Sequence, residues 1–520
     1  MSSPRKCFLN RSTLAASTLL LVVLLQACGG SGGGADKAAS GADPHNKNEG
    51  ESPHFSPGGE ASVRSSDAHA FSSHSANLRD TDRILTFNIG NDFFENPWVA
   101  GSSSTSSRDG LGPLFNNNAC QDCHIRDGRG HAPELSQGEI GTEFSSLLVR
   151  AARTDITDDE KARMANSLLP NVGDVGVGGQ LQQQALAGIR KEAELGLRYV
   201  EREIEFDDGH IEVLREPQWL LTSLYEDSGH DFAPDTVFSA RVAPPMLGLG
   251  LLALVSESEI AGSGDELDAD GDGISGRANF VWSVEEQAVR LGRFGWKAGQ
   301  ASLLEQAAAA FLNDMGLTSR LHKQESCLAH QLDCLMAPNG NGDSVNDYDY
   351  EVSDTVLDAV AFYSAHLAVP KRRRPNDEQV LAGAELFEEI GCASCHRPSF
   401  VTEDDVHFPE LSRQTIFPYT DLLLHDMGDD LADFDRQGRV PPRYPVEFLA
   451  TTHEWRTPPL WGIGLAKIVD PNASFLHDGR ARTIMEAILW HGGEAEPARN
   501  RVLSLTAEER QRLLVFIEDL

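Results

Sequence analysis

Apolar residues recur at helical spacing over several stretches of the chain and alternate along one. After Ser302 and Thr483 the apolar positions repeat with the period of a helix, and each of these residues is placed to cap the helix that follows. Over residues 199–214, apolar and polar positions alternate on either side of Asp207-Asp208-Gly209, which predicts a β-hairpin. Most other segments indicate helix or loop. The pattern therefore predicts a mainly α protein with loop-rich insertions and a small β-hairpin.

The first 80 residues lack such periodicity. Residues 14–25 form an apolar run that is too short to span a bilayer and ends at Leu25-Gln26-Ala27-Cys28. This ending resembles a bacterial lipobox, which implies that residues 1–27 are a lipoprotein signal peptide and that Cys28 carries the lipid; an ordinary cleaved signal peptide is the alternative. Residues 28–80 are polar and are expected to form a flexible tether. We therefore expect a periplasmic protein anchored to a bacterial membrane, the outer one.

Four of the eight cysteines lie in two Cys-x-x-Cys-His motifs, Cys120-Gln-Asp-Cys123-His124 and Cys392-Ala-Ser-Cys395-His396. Two thiols at this spacing reach the two vinyl groups of one porphyrin, and the histidine becomes the proximal ligand of its iron. A zinc site made of four thiols would not explain why a histidine follows each pair. The motifs predict two covalent c-type haems, haem one at the first and haem two at the second. In an oxidising compartment the remaining Cys327 and Cys334 are expected to form a disulfide.

A sparse internal repeat follows the two motifs. Pro244-Pro245-Met-Leu-Gly248-Leu-Gly250-Leu251 recurs as Pro458-Pro459-Leu-Trp-Gly462-Ile-Gly464-Leu465, and each copy precedes one of the two capped helices. The simplest account is a duplicated cytochrome c-like domain, with haem one in residues 81–375 and haem two in residues 376–520.

The two halves differ at the position where a distal iron ligand would be expected. The second capped helix leads to His491, whereas the aligned residue of the first half is Ala310. A histidine can fill the sixth coordination site of haem two, and an alanine would leave haem one open to substrate. His425 and Met427 are competing candidates for the distal ligand of haem two.

An acidic loop with alternating aspartates suggests a bound cation. Asp268, Asp270 and Asp272 are followed by Gly273, and this is the spacing of a calcium-binding loop. The loop has Asn279 where such loops end in glutamate. We expect calcium here, with a solvated acidic turn as the alternative.

Several longer segments resemble the di-haem oxidoreductase family of putative peroxidases, also described as thiol oxidoreductase-like, within the bacterial di-haem cytochrome c peroxidase superfamily. The segments that carry the resemblance are residues 110–116, 178–182, 241–245, 268–277, 292–297, 418–428 and 475–480. The likeness extends from about residue 84 to the C-terminus. It implies two cytochrome c-like domains and a redox enzyme.

The resemblance also implies roles for residues near the haems. In the peroxidases a glutamate before Met-Gly acts as acid and base at the N-terminal haem, and here Asp314 precedes Met-Gly at the end of a helix that carries Gln306. Haem two would store the second electron, and a histidine at position 491 in place of the family's methionine should lower its reduction potential. Trp296 or Trp461 would relay electrons between the haems.

Three functions fit these features. The first is a peroxidase-like oxidoreductase with substrate chemistry at haem one and electron transfer through haem two. The alternative is a non-enzymatic periplasmic di-haem electron-transfer protein, and a third is a relative that uses oxygen on a larger substrate. The formal net charge of −35 excludes nucleic acid as a partner. It suits a small basic electron carrier, a cytochrome c or a cupredoxin, although it also simply favours solubility.

Overall fold

Two helix pairs, one in each half of the chain, form the frame of the fold. The computed structural model describes residues 53–101, 103–105, 107–136, 138–338, 340 and 349–520. The predicted signal peptide, the lipid-bearing Cys28 and the first part of the tether lie outside the described residues.

Helices and strands occur in both halves of the described chain. The α-helices are α1 (Thr81–Glu95), α2 (Cys120–Cys123), α3 (Asp158–Ala165), α4 (Leu249–Ala253), α5 (Glu257–Gly262), α6 (Leu303–Met315), α7 (Leu332–Leu335), α8 (Asp354–His366), α9 (Glu378–Ile390), α10 (Ala466–Val469), α11 (Ile484–Leu489), α12 (Glu496–Leu503) and α13 (Ala507–Asp519). The strands are β1 (Val99–Ala100), β2 (Asp109–Leu111), β3 (Leu114–Phe115), β4 (Leu147–Arg153), β5 (Gln184–Ala185), β6 (Ala193–Glu205), β7 (Ile211–Ser223), β8 (Thr236–Val242), β9 (Phe280–Ser283), β10 (Ala288–Leu291), β11 (Phe400–Val401), β12 (Thr415–Ile416), β13 (Leu424–Asp426), β14 (Phe434–Asp435), β15 (Pro445–Glu447), β16 (Ala450–Thr451) and β17 (Glu454–Arg456).

The internal repeat has a structural counterpart. Helix α1 packs on α8 in the first half and α9 on α13 in the second. Gly250 lies against the carbonyl of Ala365 at the end of α8, and Gly464 lies against the carbonyl of Glu518 at the end of α13. A Cβ on either glycine would collide with that backbone oxygen, so both copies of the repeat need a residue without a side chain there.

The predicted helix caps are present in both halves. The Ser302 hydroxyl accepts a hydrogen bond from the backbone N–H of Glu305 at the start of α6, at 3.2 Å. The Thr483 hydroxyl accepts one from the N–H of Glu486 at the start of α11, at 3.0 Å. These caps satisfy one of the free N–H groups of each first turn and fix where each helix begins.

Each half has its own aromatic core. In the first half the core surrounds α1, α6 and α8, and its buried aromatic residues are Phe87, Phe94, Trp98, Phe311 and Tyr363. In the second half it surrounds α9, α11 and α13, and they are Phe206, Phe387, Phe417, Tyr419, Phe475, Trp490 and Phe516. The two Cys-x-x-Cys-His motifs lie beside these two cores, since Cys120 packs against the first and Cys392 against the second.

The strand content is larger than predicted, and "mainly α" is therefore wrong as a description of the whole. The structure is a mixed one, with 30% helix and 20% strand. The predicted hairpin is present, but its strands β6 and β7 pair in register from Ala193↔Ser223 to Glu205↔Ile211 and are much longer than expected. A three-stranded antiparallel sheet in the order β14-β8-β4 was not predicted. Every residue of β8 is buried, so the alternation that marks a half-exposed strand is missing there.

The assignment of residues 28–80 to a free tether is wrong for the described part. Ala61, Ala70, Phe71 and Leu78 are buried, and Val63 forms an isolated parallel bridge to residue 370. The buried apolar residues of this segment are not regularly spaced. The segment therefore packs on the core without the hydrophobic periodicity that marks a helix or strand in a sequence.

The described residues belong to one compact unit. The boundary between the two cytochrome c-like domains at residues 375 and 376 stays a prediction. Among the described helices, none has the length and apolarity needed to cross a lipid bilayer.

Candidate haem sites

The first motif presents a neutral histidine beside two thiols. Cys120 and Cys123 lie at the two ends of α2, and His124 follows at once. The His124 Nδ1 atom donates a hydrogen bond to the carbonyl of Pro244 at 2.8 Å, which leaves Nε2 available as a ligand atom. Burial lowers the pKa of His124 to about 4, so the imidazole is neutral at pH 7 and has the form that binds iron.

The second motif repeats this geometry on another backbone. Cys392 begins a 3-10 helix that ends before Cys395. The His396 Nδ1 atom donates to the carbonyl of Tyr419 at 3.0 Å. Burial lowers the pKa of His396 to about 4 as well. In both motifs a backbone carbonyl thus fixes the ring orientation of the proximal histidine.

The thiols are suited to haem attachment rather than to a shared metal. Burial raises the pKa of the free thiols of Cys120 and of Cys392 to about 12. In the described part of the chain, no cluster of metal-binding atoms contains thiols from both motifs. The chemistry of the donors therefore fits two separate haems.

A cavity of about 320 Å³ lies beside the second motif. Cys392, Cys395 and His396 line it together with aromatic and aliphatic side chains. His491, which follows α11, lines the same cavity. Its Nδ1 atom donates to the carbonyl of Ala487 at 2.7 Å, and burial lowers its pKa, so Nε2 of a neutral ring is available to the cavity.

His425 lines that cavity but has no free ring nitrogen. Its Nδ1 atom is 2.7 Å from a carboxylate oxygen of Glu494, and its Nε2 atom is 2.8 Å from one of Asp421. Burial alone would lower the pKa of His425, but its contacts with Asp421, Cys395 and Glu494 carry it well above its usual value. A protonated ring held on both sides is not arranged to bind iron. Met427, two residues on, also lines the cavity.

One face of α6 carries the residues predicted to act at haem one. Gln306, Ala310 and Asp314 follow each other at intervals of four and therefore lie on one face of the helix. The Asp314 carboxylate accepts a hydrogen bond from Gln180 Nε2 at 2.9 Å. The backbone carbonyl of Asp314 accepts hydrogen bonds from the N–H groups of Asn116 and Asn117, at 2.8 and 3.1 Å, and these two residues lie just before the first motif.

Burial raises the pKa of Asp314 above its ordinary value, although the charge of Arg150 and the hydrogen bond from Gln180 oppose the rise. A raised pKa makes a carboxyl a better proton acceptor, which is the direction that a general acid and base requires.

The two tryptophans proposed as relays lie in different surroundings. Trp296 lines the haem-two cavity. Trp461 is buried in an apolar cluster with Leu247, Leu251 and Val369 and is not among the residues that line that cavity. The structure thus brings Trp296 to a haem site and leaves Trp461 in the core.

A buried polar cluster was missed by the sequence analysis. Arg241 pairs with Glu447 at 2.7 Å and Lys297 with Asp433 at 3.2 Å, and Arg150 lies on the strand next to Arg241. These residues are far apart in the sequence, and single charges in a sequence carry no signal of burial. Arg241 and Lys297 belong to segments that carried the family resemblance, and this was the available hint.

The acidic loop is arranged differently from the prediction. Asp265, Asp268 and Asp270 bring carboxylate oxygens within 4.8 Å of one another. Asp272 is not part of this group and lines the haem-two cavity instead. The Asp268 carboxylate accepts a hydrogen bond from the N–H of Gly273, so backbone amides already satisfy part of the loop. Calcium binding stays a prediction.

The last two cysteines are joined. Cys327 and Cys334 form a disulfide, with their Cα atoms 5.7 Å apart. The bond closes a short loop that includes α7 and lies outside both haem sites.

Comparison with known proteins gives one match over most of the chain. The family model described as "Di-haem oxidoreductase, putative peroxidase" matches residues 54–520. No curated protein matches. Among solved structures, hydrazine synthase from Kuenenia stuttgartiensis, pressurised with xenon, is similar at 21% identity with a TM-score of 0.21. That match covers 33% of this chain and 57% of the other, so the chain spans little more than half of its length.

Proposed function

The chain belongs to the di-haem oxidoreductase, putative peroxidase family, and from that premise we propose that it reduces a peroxide at haem one with electrons that pass through haem two. The observation that carries the proposal is the difference between the two distal positions. His491 directs a neutral imidazole to the haem-two cavity, whereas Ala310 at the aligned position of α6 has no ligand atom.

Each haem, when bound, supplies an iron that exchanges electrons. Cys120, Cys123 and His124 would hold haem one. Cys392, Cys395 and His396 would hold haem two, with His491 as its distal ligand.

Asp314 would move the proton that peroxide cleavage requires. It would accept a proton from one peroxide oxygen and return it to the other, which becomes water. Gln180 orients its carboxylate, and Gln306 lies two turns earlier on the same face of α6, where it can position the substrate. The balance of burial against the charge of Arg150 supports this role.

We further propose where the protein works and which partner supplies its electrons. The lipobox-like residues 25–28 support a periplasmic location with an anchor in the outer membrane. The net charge of −35 supports a small electron carrier with a basic patch, such as a cytochrome c or a cupredoxin. Reduction rates that fall steeply as salt is added would be the signature of this partner.

The test uses the purified di-haem protein, hydrogen peroxide and an artificial electron donor. Replacing Asp314 by Asn should lower the turnover of peroxide by about 10²- to 10⁴-fold, the usual contribution of a positioned acid and base. Asp92→Asn, in an exposed ion pair with Arg108, is the matched control and should leave turnover unchanged. Haem content and optical spectra of all three proteins should agree.

An electron carrier would behave differently. If optical and EPR spectra show both irons low-spin in every redox state and peroxide changes neither, the proposal is wrong and the protein only transfers electrons.

A further inference from the structure

A second cavity, of about 250 Å³, lies on one face of the three-stranded sheet β14-β8-β4. Arg150 on β4 is opposite Ser239 on β8, and Leu148 is opposite Arg241. Paired residues of an antiparallel sheet share a face, and positions two apart do as well. Both arginines therefore face the cavity, whose other walls include the α6 residues Ala309 and Asn313.

The two arginines differ in their partners. Arg241 is neutralised by Glu447, with Nη1 and Oε2 2.7 Å apart. Within the described residues, Arg150 has neither a side-chain hydrogen bond nor an ion pair within 4 Å, and Asp314 and Glu447 stabilise its charge from farther away. A guanidinium carries five N–H donors and stays charged in proteins. Arg150 is partly buried and lines the cavity, so its donors are open to an anion that enters there.

The Asp433 carboxylate on the cavity wall lacks well-aligned hydrogen-bond donors in the described part of the chain. Asp433 is 2% exposed, and neither of its oxygens accepts a well-aligned hydrogen bond from the described residues. Lys297 lies 3.2 Å away and balances the charge, but its ammonium group donates to the carbonyls of Thr451 and Glu454, both at 2.8 Å. The spare lone pairs of Asp433 are therefore available to a hydroxyl or ammonium donor from a ligand.

The cavity borders the surroundings of both motifs. Asn313 on its wall is next to Asp314, whose carbonyl accepts hydrogen bonds from the backbone N–H groups of Asn116 and Asn117, just before the first motif. On the other side, the Arg241 guanidinium lies 5.7 Å from the ring centre of Trp455, which lines the haem-two cavity. A ligand held here is within electrostatic reach of both centres.

We propose that this cavity binds a small organic acid whose carboxylate pairs with Arg150 and whose neighbouring hydroxyl or ammonium group donates to Asp433. The volume is below the usual range of about 300 to 1,000 Å³ for pockets that hold drug-sized ligands, which restricts the ligand to small molecules. This inference goes beyond the proposed function, because binding of the organic acid does not depend on which oxidant reacts at haem one.

The test is isothermal titration calorimetry on the di-haem protein with lactate and alanine as probes. Each carries a carboxylate beside a donor group. Lactamide lacks the charge and propionate lacks the donor, and both should bind more weakly than lactate. The contact with Asp433 is tested by changing the ligand, because substituting Asp433 would leave the buried Lys297 without its ion-pair partner.

The Arg150 end is tested by substitution. Arg150→Gln should weaken lactate binding by about ten- to a hundredfold, since a hydrogen-bonded charge pair is lost. Arg153→Gln is the matched control, because Arg153 lies three residues along the same strand and pairs with Asp235 outside the cavity. It should bind lactate like the wild type.

Three results would overturn the inference. The first is that neither lactate nor alanine binds. The second is that lactamide binds as well as lactate, or that Arg150→Gln leaves binding unchanged. The third combines two observations: lactate does not bind the wild type, and Arg150→Gln lowers the reduction potential of haem one without any added ligand. Together they would assign Arg150 to a haem propionate. Peroxide turnover is measured on the same preparations. A protein that binds lactate but does not turn over peroxide would contradict the proposed function and leave this inference standing.

Discussion

The indole N–H of Trp296 donates a hydrogen bond to the carbonyl oxygen of Val242, at 2.7 Å. Val242 is two residues before Pro244, whose carbonyl accepts a hydrogen bond from His124, the proposed proximal ligand of haem one. Trp296 itself lines the haem-two cavity. His124 is thus linked to the wall of that cavity by two hydrogen bonds and a short piece of backbone.

We predict that Trp296→Phe slows electron transfer between the haems, because the link through the indole N–H is removed. It should also destabilise the protein by about 1 to 3 kcal/mol, since the Val242 carbonyl loses its partner in a buried place. Stopped-flow reduction, followed at the absorption bands of the two haems, measures the rate.

Trp219→Phe is the matched control for this variant. Trp219 is equally buried and stacks on Phe434, with ring centres 5.7 Å apart, but it does not line the haem-two cavity. If both substitutions slow the transfer equally, Trp296 has no special role in the path.

A second prediction concerns the distal ligand. His491→Met should raise the reduction potential of haem two, because a methionine ligand favours the reduced iron more than histidine does. A redox titration followed optically gives the potential of each haem. His210→Met, at the exposed turn of the β6–β7 hairpin, should change neither value. An unaltered haem-two potential in the His491 variant would leave Met427 as the candidate ligand.

A third prediction concerns pH. The pKa of His425 lies well above its ordinary value because two carboxylates bind the protonated ring. The stabilisation is therefore fully present below the unfolded pKa of about 6.5 and is lost as the pH rises through the higher folded pKa. His425→Gln should destabilise the protein by about 3 to 5 kcal/mol at low pH and by progressively less as the pH is raised.

Thermal midpoints of the wild type and the variant over a pH series measure this difference. His407→Gln, on the exposed surface, controls for the loss of a histidine as such. A destabilisation that is independent of pH would mean that His425 contributes packing rather than charge.

A fourth prediction concerns the disulfide. The bond between Cys327 and Cys334 has a sequence separation of 7, so opening it should cost about 2.5 kcal/mol by the loop-entropy relation. The haem-linked cysteines are thioethers in the complete protein and resist mild thiol reductants. The thermal midpoint of the di-haem protein should therefore fall on reduction, and equal midpoints would show that the loop is held by its packing.

The sequence predicted features that depend on local spacing. The Cys-x-x-Cys-His motifs, the caps at Ser302 and Thr483 and the turn of the hairpin each lie within a few residues, where covalent geometry leaves little choice. The repeat was also visible, because both copies need glycine at the same close approach to a helix end.

The tertiary structure decided what depends on distant partners. The repeat favoured His491 as the distal ligand and left His425 as a competitor, and the structure separates them because Asp421 and Glu494 contact only His425. Residues 53–80 have too few apolar side chains for a sequence pattern to predict packing, yet several of these side chains are buried individually in the core. The cluster around Arg150 joins strands and loops from both halves of the chain. A charge in a sequence does not show whether it is solvated or buried, because that depends on which residues the fold brings against it.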